Sequence, residues 1–143
     1  MAYYNQGIFK PKNPEKYIGT VLPIYRSSWE LTIMNVFDNH QNVHQWASET
    51  FEIPYISPFD NKWHRYIPDF LVIYTDSSDN QHAEVIEVKP ASQTFDDLAK
   101  SKKDKQALIL NKAKWKYAVD WCNRQGVKFR IMTEEQIYQG SKK

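Results

Sequence analysis

Apolar positions recur with two different periods along this chain, and each period points to an element. In YRSSWELTIMNVFDNH, Trp29, Ile33, Val36 and Phe37 return at helical spacing, and Ser27 followed three residues later by Glu30 fits a capping box, so a first helix is predicted. WASETFEIPYI switches to a two-residue period, with Ala47, Glu49, Phe51, Ile53 and Tyr55 on one side, and predicts a strand ending between Pro54 and Pro58. YIPDFLVIY and HAEVIEVKP are rich in β-branched and aromatic residues, and TDSSDNQ between them has hairpin-turn chemistry, so the two should pair antiparallel. A polar stretch from Ala91 to about Asp104 leads into QALILNKAKWKYAVDWCNRQG, a long predicted helix with Leu108, Trp115, Val119 and Cys122 on its stripe and Gly126 as C-cap. VKFRIMT predicts a last strand, and Thr133 fits the N-cap of a short helix in TEEQIYQG.

The element order is therefore α-β-β-β-α-β: three meandering strands, a crossover helix and a strand that can rejoin the sheet. That is an α/β (α+β) fold, a mixed sheet flanked by helices. Residues 1–23 are polar, proline-punctuated and basic (Lys10, Lys12, Lys16), and read as an irregular arm on a single domain spanning 1–143. A length of 143 residues, 41% of them hydrophobic, suits one core.

Charge matters here through its placement. Nineteen Lys and Arg against 17 Asp and Glu leave a formal net charge of only +2, too small to diagnose a polyanion binder. The single cysteine, Cys122, has no partner for a disulfide within the chain and fits a reducing compartment. No run approaches the ~20 apolar residues of a membrane span, and the N-terminal stretch has no signal-peptide core, so a soluble intracellular protein is expected.

The costly charges are those inside the two hairpin strands. Asp69 and Glu87 each lie nine residues from Ser78, so a hairpin turning there sets them opposite each other and on one face, with Lys89 two residues further on. Opposed carboxylates repel unless a proton or a metal ion intervenes. Mg²⁺ accepts such a pair together with waters and phosphate oxygens, and a nearby lysine can then stabilise phosphate charge or position water. The plainer account, a turn aspartate after Pro68 and an ordinary Glu87–Lys89 ion pair, fits the same spacing and stays open at this point.

Pro68-Asp69 with Glu87-Val88-Lys89 resembles the PD-(D/E)XK motif of restriction-endonuclease-like nucleases, whose core has the same α-β-β-β-α-β order. In that family the Asp and Glu bind Mg²⁺, often with the backbone carbonyl between Glu and Lys, here that of Val88, and the Lys assists the attacking water. More of the chain (the PKNPEKYIG arm, IYRSSWE, WASETFEIPY, PDF, EVKP and KWK…GVKFRIMTE) resembles the head completion nucleases of large contractile-tailed bacteriophages. A more distant similarity runs to the end-cleaving endonuclease subunit of Tn7-type transposons. These resemblances imply Glu30 as a third acidic member of the site, although its capping box already explains it, and Mg²⁺ as cofactor with Mn²⁺ as a substitute. They also imply an endonuclease rather than an exonuclease, acting on DNA as a packaged head is completed. The protein would be made in the host bacterial cytoplasm and carried in the head–neck region of the virion, with portal or neck proteins as partners. No membrane or nucleotide cofactor is expected.

Glu49, placed by alternation beside Phe51 and Ile53, is expected to support the site from behind or to be an edge-strand charge. Lys100, Lys102, Lys103, Lys105, Lys112, Lys114 and Lys116 make a basic stretch that would hold a phosphodiester backbone without reading sequence, with Lys102, Lys103, Lys112 and Lys116 as the expected DNA contacts, or simply a solvated helix face. Arg26, His64 and Arg65 precede the acidic elements and could meet phosphates near the cut, with plain surface charge as the alternative. Trp115, Tyr117 and Trp121 are assigned to packing. His40 and His44 lack further ligands for zinc, Cys122 has no histidine to activate it, and no glycine-rich phosphate loop is present. Two rivals stand beside the nuclease reading: a structural head or neck protein that binds DNA or portal without cutting, and a transposon-type end-cleaving nuclease. A purely structural protein has no use for an unfavourable acidic pair, and a transposon subunit would need room for a partner-binding domain.

Overall fold

A computed structural model describes residues 6–95 and 98–133. Its centre is a four-stranded sheet in the order β3-β6-β7-β8, built from β3 (Val43–Ser48), β6 (Phe70–Thr75), β7 (Gln81–Val88) and β8 (Lys128–Met132). β3, β6 and β7 run antiparallel in sequence, and β8 returns parallel to β7 after a helical crossover. The two helices, α1 (Ser28–Asn39) and α2 (Lys102–Gln125), cover the two faces of the sheet. The core is thus the mixed, helix-flanked α-β-β-β-α-β arrangement of a restriction-endonuclease-like fold.

Alternation along the strands divides the core in two. Phe70, Val72 and Ile86 turn to one face, where Ile33, Met34 and Phe37 of α1 pack on them and on Trp46. On the other side Trp115 and Ala118 of α2 pack with Ile53, Tyr55 and Tyr66, against Phe129 and Ile131 of β8. α1 opens on Ser27, whose hydroxyl accepts the Glu30 amide at 3.2 Å, and α2 closes on Gly126 in the left-handed region, φ 75°. Both caps match the sequence.

Two strand expectations need correction. WASETFEIPYI is not one strand: β3 ends at Ser48, Glu49 takes a left-handed φ of 50°, and its amide donates to the Asp69 carbonyl at 3.1 Å. The chain then starts afresh as β4 (Ile53–Ile56), which pairs with an unforeseen strand, β5 (Trp63–Tyr66), in a separate two-stranded hairpin. Glu49 is consequently exposed and ion-paired instead of sharing the apolar side. On α2, Val119 is exposed and Ala118 takes its place on the buried stripe. The short helix expected after Thr133 lies outside the described residues.

The N-terminal arm is more regular than expected. It holds β1 (Gly7–Ile8) paired with β2 (Ile24–Tyr25), and a 3₁₀ turn at Pro14–Lys16. Phe9 is buried in the α1 core, and Tyr17 packs edge-on against Trp46 with ring centres 4.8 Å apart. The buried carboxylate of Asp38, on α1, accepts the amides of Lys12 (2.8 Å) and Asn13 (3.2 Å) and so fastens the arm down. Asp38→Ala should therefore cost about 2–3 kcal/mol by leaving two amides without their charged acceptor, read as a lower urea midpoint; an unchanged midpoint would show that the arm does not contribute to stability.

Candidate active site

The β6–β7 ladder runs Phe70↔Ile86 through Thr75↔Gln81, a register centred on Ser78. One step beyond its last pair, Asp69 and Glu87 face each other where the strands end, on the α2 side of the sheet. Glu87 is buried and Asp69 half-buried. The Asp69 Oδ2 accepts the Val88 amide at 2.7 Å, so the aspartate itself closes the ladder. Lys89 follows with Nζ 3.9 Å from Glu87 Oε2, and its amide donates to the Met132 carbonyl at 3.1 Å, which ties the lysine to β8.

The electrostatics are those of an unneutralised acid pair. Burial raises the Asp69 carboxyl, partly offset by Glu87, the Val88 amide and Lys89. Glu87 is held well above its ordinary value, by burial first and then by the charge of Asp69. The pair therefore favours taking up a proton or a cation where repulsion would otherwise act. Glu30, in the first turn of α1, is pushed up to about 7 by burial and then by Asp69. Its carboxylate still serves the cap, accepting weakly from the Arg26 amide at 3.4 Å. Asp69, Glu87, Lys89 and Glu30 therefore form one electrostatic cluster.

The other candidates are placed less centrally. Glu49 joins the rim by electrostatics, since its charge contributes to raising Glu30 and Asp69, but its side chain is clasped by Arg26 through two bonds of 3.1 Å. Arg26 is thus engaged with Glu49. His64 and Arg65 lie exposed on the β5 strand, paired with Asp60 at 2.8 Å and Glu52 at 3.4 Å. Lys102 and Lys103 begin α2, roughly 18 Å along the helix from residue 114. Lys112 and Lys116 are exposed on that helix. Trp115 is buried, and Tyr117 and Trp121 pack against the same cluster, as assigned.

Two tyrosines stand at the site that the sequence did not place there. Tyr66 is buried with its hydroxyl beside Glu87, near enough for each to shift the other's ionisation, yet neither that hydroxyl nor Glu87 Oε1 makes a hydrogen bond of normal geometry. Tyr55 lies beside it in the same cluster. Alternation already sets Tyr55 on the apolar side, and the parity of the β4–β5 pair would have placed Tyr66 beside it, had β5 been recognised among the polar residues of WHRY.

A buried carboxylate oxygen without a partner, in an all-oxygen site of two opposed acids, has the donor chemistry of a hard divalent cation. Among the described residues no three His, Cys, Asp or Glu side chains stand together as a ready metal cage. Mg²⁺ does not require one, since it keeps waters and takes phosphate oxygens beside one or two carboxylates. The residues present fit the ion.

Comparison with known proteins gives the context for this cluster. The family described as TnsA-like endonuclease N terminal matches residues 40–134, a span that holds Asp69, Glu87 and Lys89 but begins after Glu30. The head completion nuclease of Enterobacteria phage T4 is 34% identical over 146 aligned positions, covering 94% of this chain and 93% of that protein.

Proposed function

Since the chain belongs to the TnsA-like endonuclease family and is a nuclease related to a phage head completion nuclease, we propose that it is a Mg²⁺-dependent, PD-(D/E)XK-type deoxyribonuclease acting on DNA as a phage head is completed. The opposed Asp69 and Glu87, the latter buried, with Lys89 alongside and an unsatisfied Glu87 oxygen, carry this reading. Asp69, Glu87 and Glu30, with the Val88 carbonyl, would hold the ion, and Mn²⁺ would substitute for it. When bound, the ion supplies positive charge against the phosphate oxygens and makes a coordinated water more acidic.

The chain's own groups do the remaining work. With both carboxyls deprotonated, Asp69 and Glu87 present a dianionic oxygen surface. Lys89, held near Glu87 and anchored through β8, donates hydrogen bonds to the attacking water and to the phosphate as negative charge builds on it. Water oxygen bonds to phosphorus, one P–O ester bond breaks, and the leaving oxygen takes up a proton. Nothing in the cluster reads a base edge, so cleavage should depend on backbone geometry more than on sequence. An endonucleolytic cut is favoured, with portal or neck proteins bringing the enzyme to DNA at the head–neck region. Similarity along nearly the whole chain to a head completion nuclease favours that setting over transposon ends.

The absence of a ready three-ligand cage among the described residues is the observation that favours a purely structural DNA-binding role. One assay separates the two. Supercoiled plasmid and linear DNA are incubated with purified protein in Mg²⁺, in chelator, and with Lys89→Ala. The wild type should nick or cut in Mg²⁺ alone, and the variant should be slower by roughly 10²–10⁴-fold. Equal degradation in all arms would mark a contaminant, and no cleavage in any would favour the structural role.

A further inference from the structure

The acidic cluster leaves one ammonium unused. Lys114 leaves α2 on the flank of its buried stripe, three residues after Asn111 and four before Ala118, and is half-buried. Its Nζ lies 5.8 Å from the centre of the Tyr55 ring and 5.7 Å from that of Tyr66. Tyr66 is the residue whose hydroxyl borders Glu87, so its ring links the lysine to the acids. Lys112 and Lys116 are each about 200° round the helix from it and are exposed. Among the described residues no carboxylate forms an ion pair with Lys114.

Its surroundings explain why an anion is wanted there. Burial lowers the pKa of Lys114, the positive charge of Lys89 lowers it further, and Glu87 and Asp69 act in the opposite sense. The two ammonium groups lie near enough for Lys89 to bear on Lys114, and they repel, just as the two carboxylates do. Contact with aromatic faces holds the ammonium of Lys114 in place without neutralising it. A cation satisfies the acids, and an anion of spread charge lying between the lysines would satisfy the bases. A phosphodiester brings that anion to the same point.

We propose that Lys114 contacts the substrate, its ammonium, held against the Tyr55 and Tyr66 rings, taking a non-bridging oxygen of the DNA phosphate that Asp69, Glu87 and Lys89 address. This deepens the nuclease reading and rests on it. The assignment moves the expected phosphate contact on α2 from Lys112 and Lys116 to the residue between them.

The test uses Lys114→Met, which keeps the apolar stem, and Lys114→Arg, which keeps the charge. Binding of a labelled DNA duplex is measured in chelator over a salt series, and kcat and KM are measured in Mg²⁺. Loss of one phosphate contact should reduce the slope of log affinity against log salt by about 0.9 in the methionine variant. Its kcat/KM should fall at least roughly tenfold, and arginine should restore the slope and most of the rate. A wild-type slope in Lys114→Met would overturn the proposal. So would a lost rate with an unchanged slope and no rescue by arginine, which marks packing against the tyrosines. Should the methionine variant unfold, Lys114→Gln gives the same readings. Absence of cleavage by the wild type would defeat the nuclease reading alone, because the slopes in chelator judge Lys114 independently.

Discussion

Asp69→Asn should abolish cleavage and at the same time make the metal-free protein more stable. The loss follows from removing one of two charges that hold the ion: several kcal/mol of transition-state stabilisation depend on it, or about 10³-fold or more in rate. The gain follows from the register. Glu87 is buried and Asp69 half-buried, the two opposed at the end of β6 and β7, and each carboxyl is raised, by burial first and with repulsion added on Glu87. Asparagine keeps an oxygen to accept the Val88 amide while removing the charge. Relief on the order of 1 kcal/mol is expected, a rise in Tm of roughly 3–4 °C in chelator. Nicking assays and thermal melts on one preparation decide the matter. A variant that melts earlier than wild type, or that still cuts, would show that the two acids do not oppose each other as described.

The second large effect is a pH dependence that a divalent ion reverses. Glu30 titrates at about 7 in the folded protein against 4.5 ordinarily, and Asp69 and Glu87 are displaced the same way. Between about 4.5 and 7 the folded state thus holds more protons than the unfolded chain, so the free energy of unfolding falls as pH rises through that window. Unscreened, the Glu30 shift alone would be worth ~3.4 kcal/mol. Its partial exposure reduces that to about 1–2 kcal/mol. The lowered carboxyls, Asp60 and Asp76, titrate below this range and do not mask it. In chelator the protein should melt lower at pH 8 than at pH 5.5, and Glu30→Gln should flatten the difference. Mg²⁺ at a hundred times its Kd should add about 2.7 kcal/mol at pH 8, and much less at pH 5.5, where protons occupy the acids. Stability that climbs from pH 5.5 to 8 in chelator would contradict the electrostatic account of the cluster.

The hairpin was the most legible part of the sequence because its evidence is redundant. Turn residues mark the centre, and both flanking runs must place their apolar faces on the same core, so a slip of one residue would have turned Ile86 and Val72 outward. Asp69 and Glu87 follow from that register without further information. The break at Glu49 was not legible, since a non-glycine residue at φ 50° has no side-chain signature and the apolar alternation continues across it by coincidence. β5 escaped because Trp63, His64 and Arg65 are all exposed, leaving only Tyr66 to report an inward face. On α2 the face was misjudged through composition: the true stripe includes Asn111, whose side chain donates to the Gln93 carbonyl at 3.2 Å, and the small Ala118. Both carry little hydrophobic signal. Choosing Val119 over Ala118 rotated the expected face by one residue and left Lys114 undistinguished among the lysines of the basic stretch.

The arm has a further consequence at the sheet's margin. β3 is an outer strand of the four, and the arm bridges to it in parallel at Tyr17 and Trp46, with the Ile18 amide donating to the Trp46 carbonyl at 2.9 Å. The hydrogen-bonding groups that would otherwise recruit a strand from another molecule are occupied there by the protein's own backbone. Pairing of a second copy along this margin is thus obstructed at Trp46, and the Asp38 anchor that keeps the arm seated should oppose aggregation as well as unfolding.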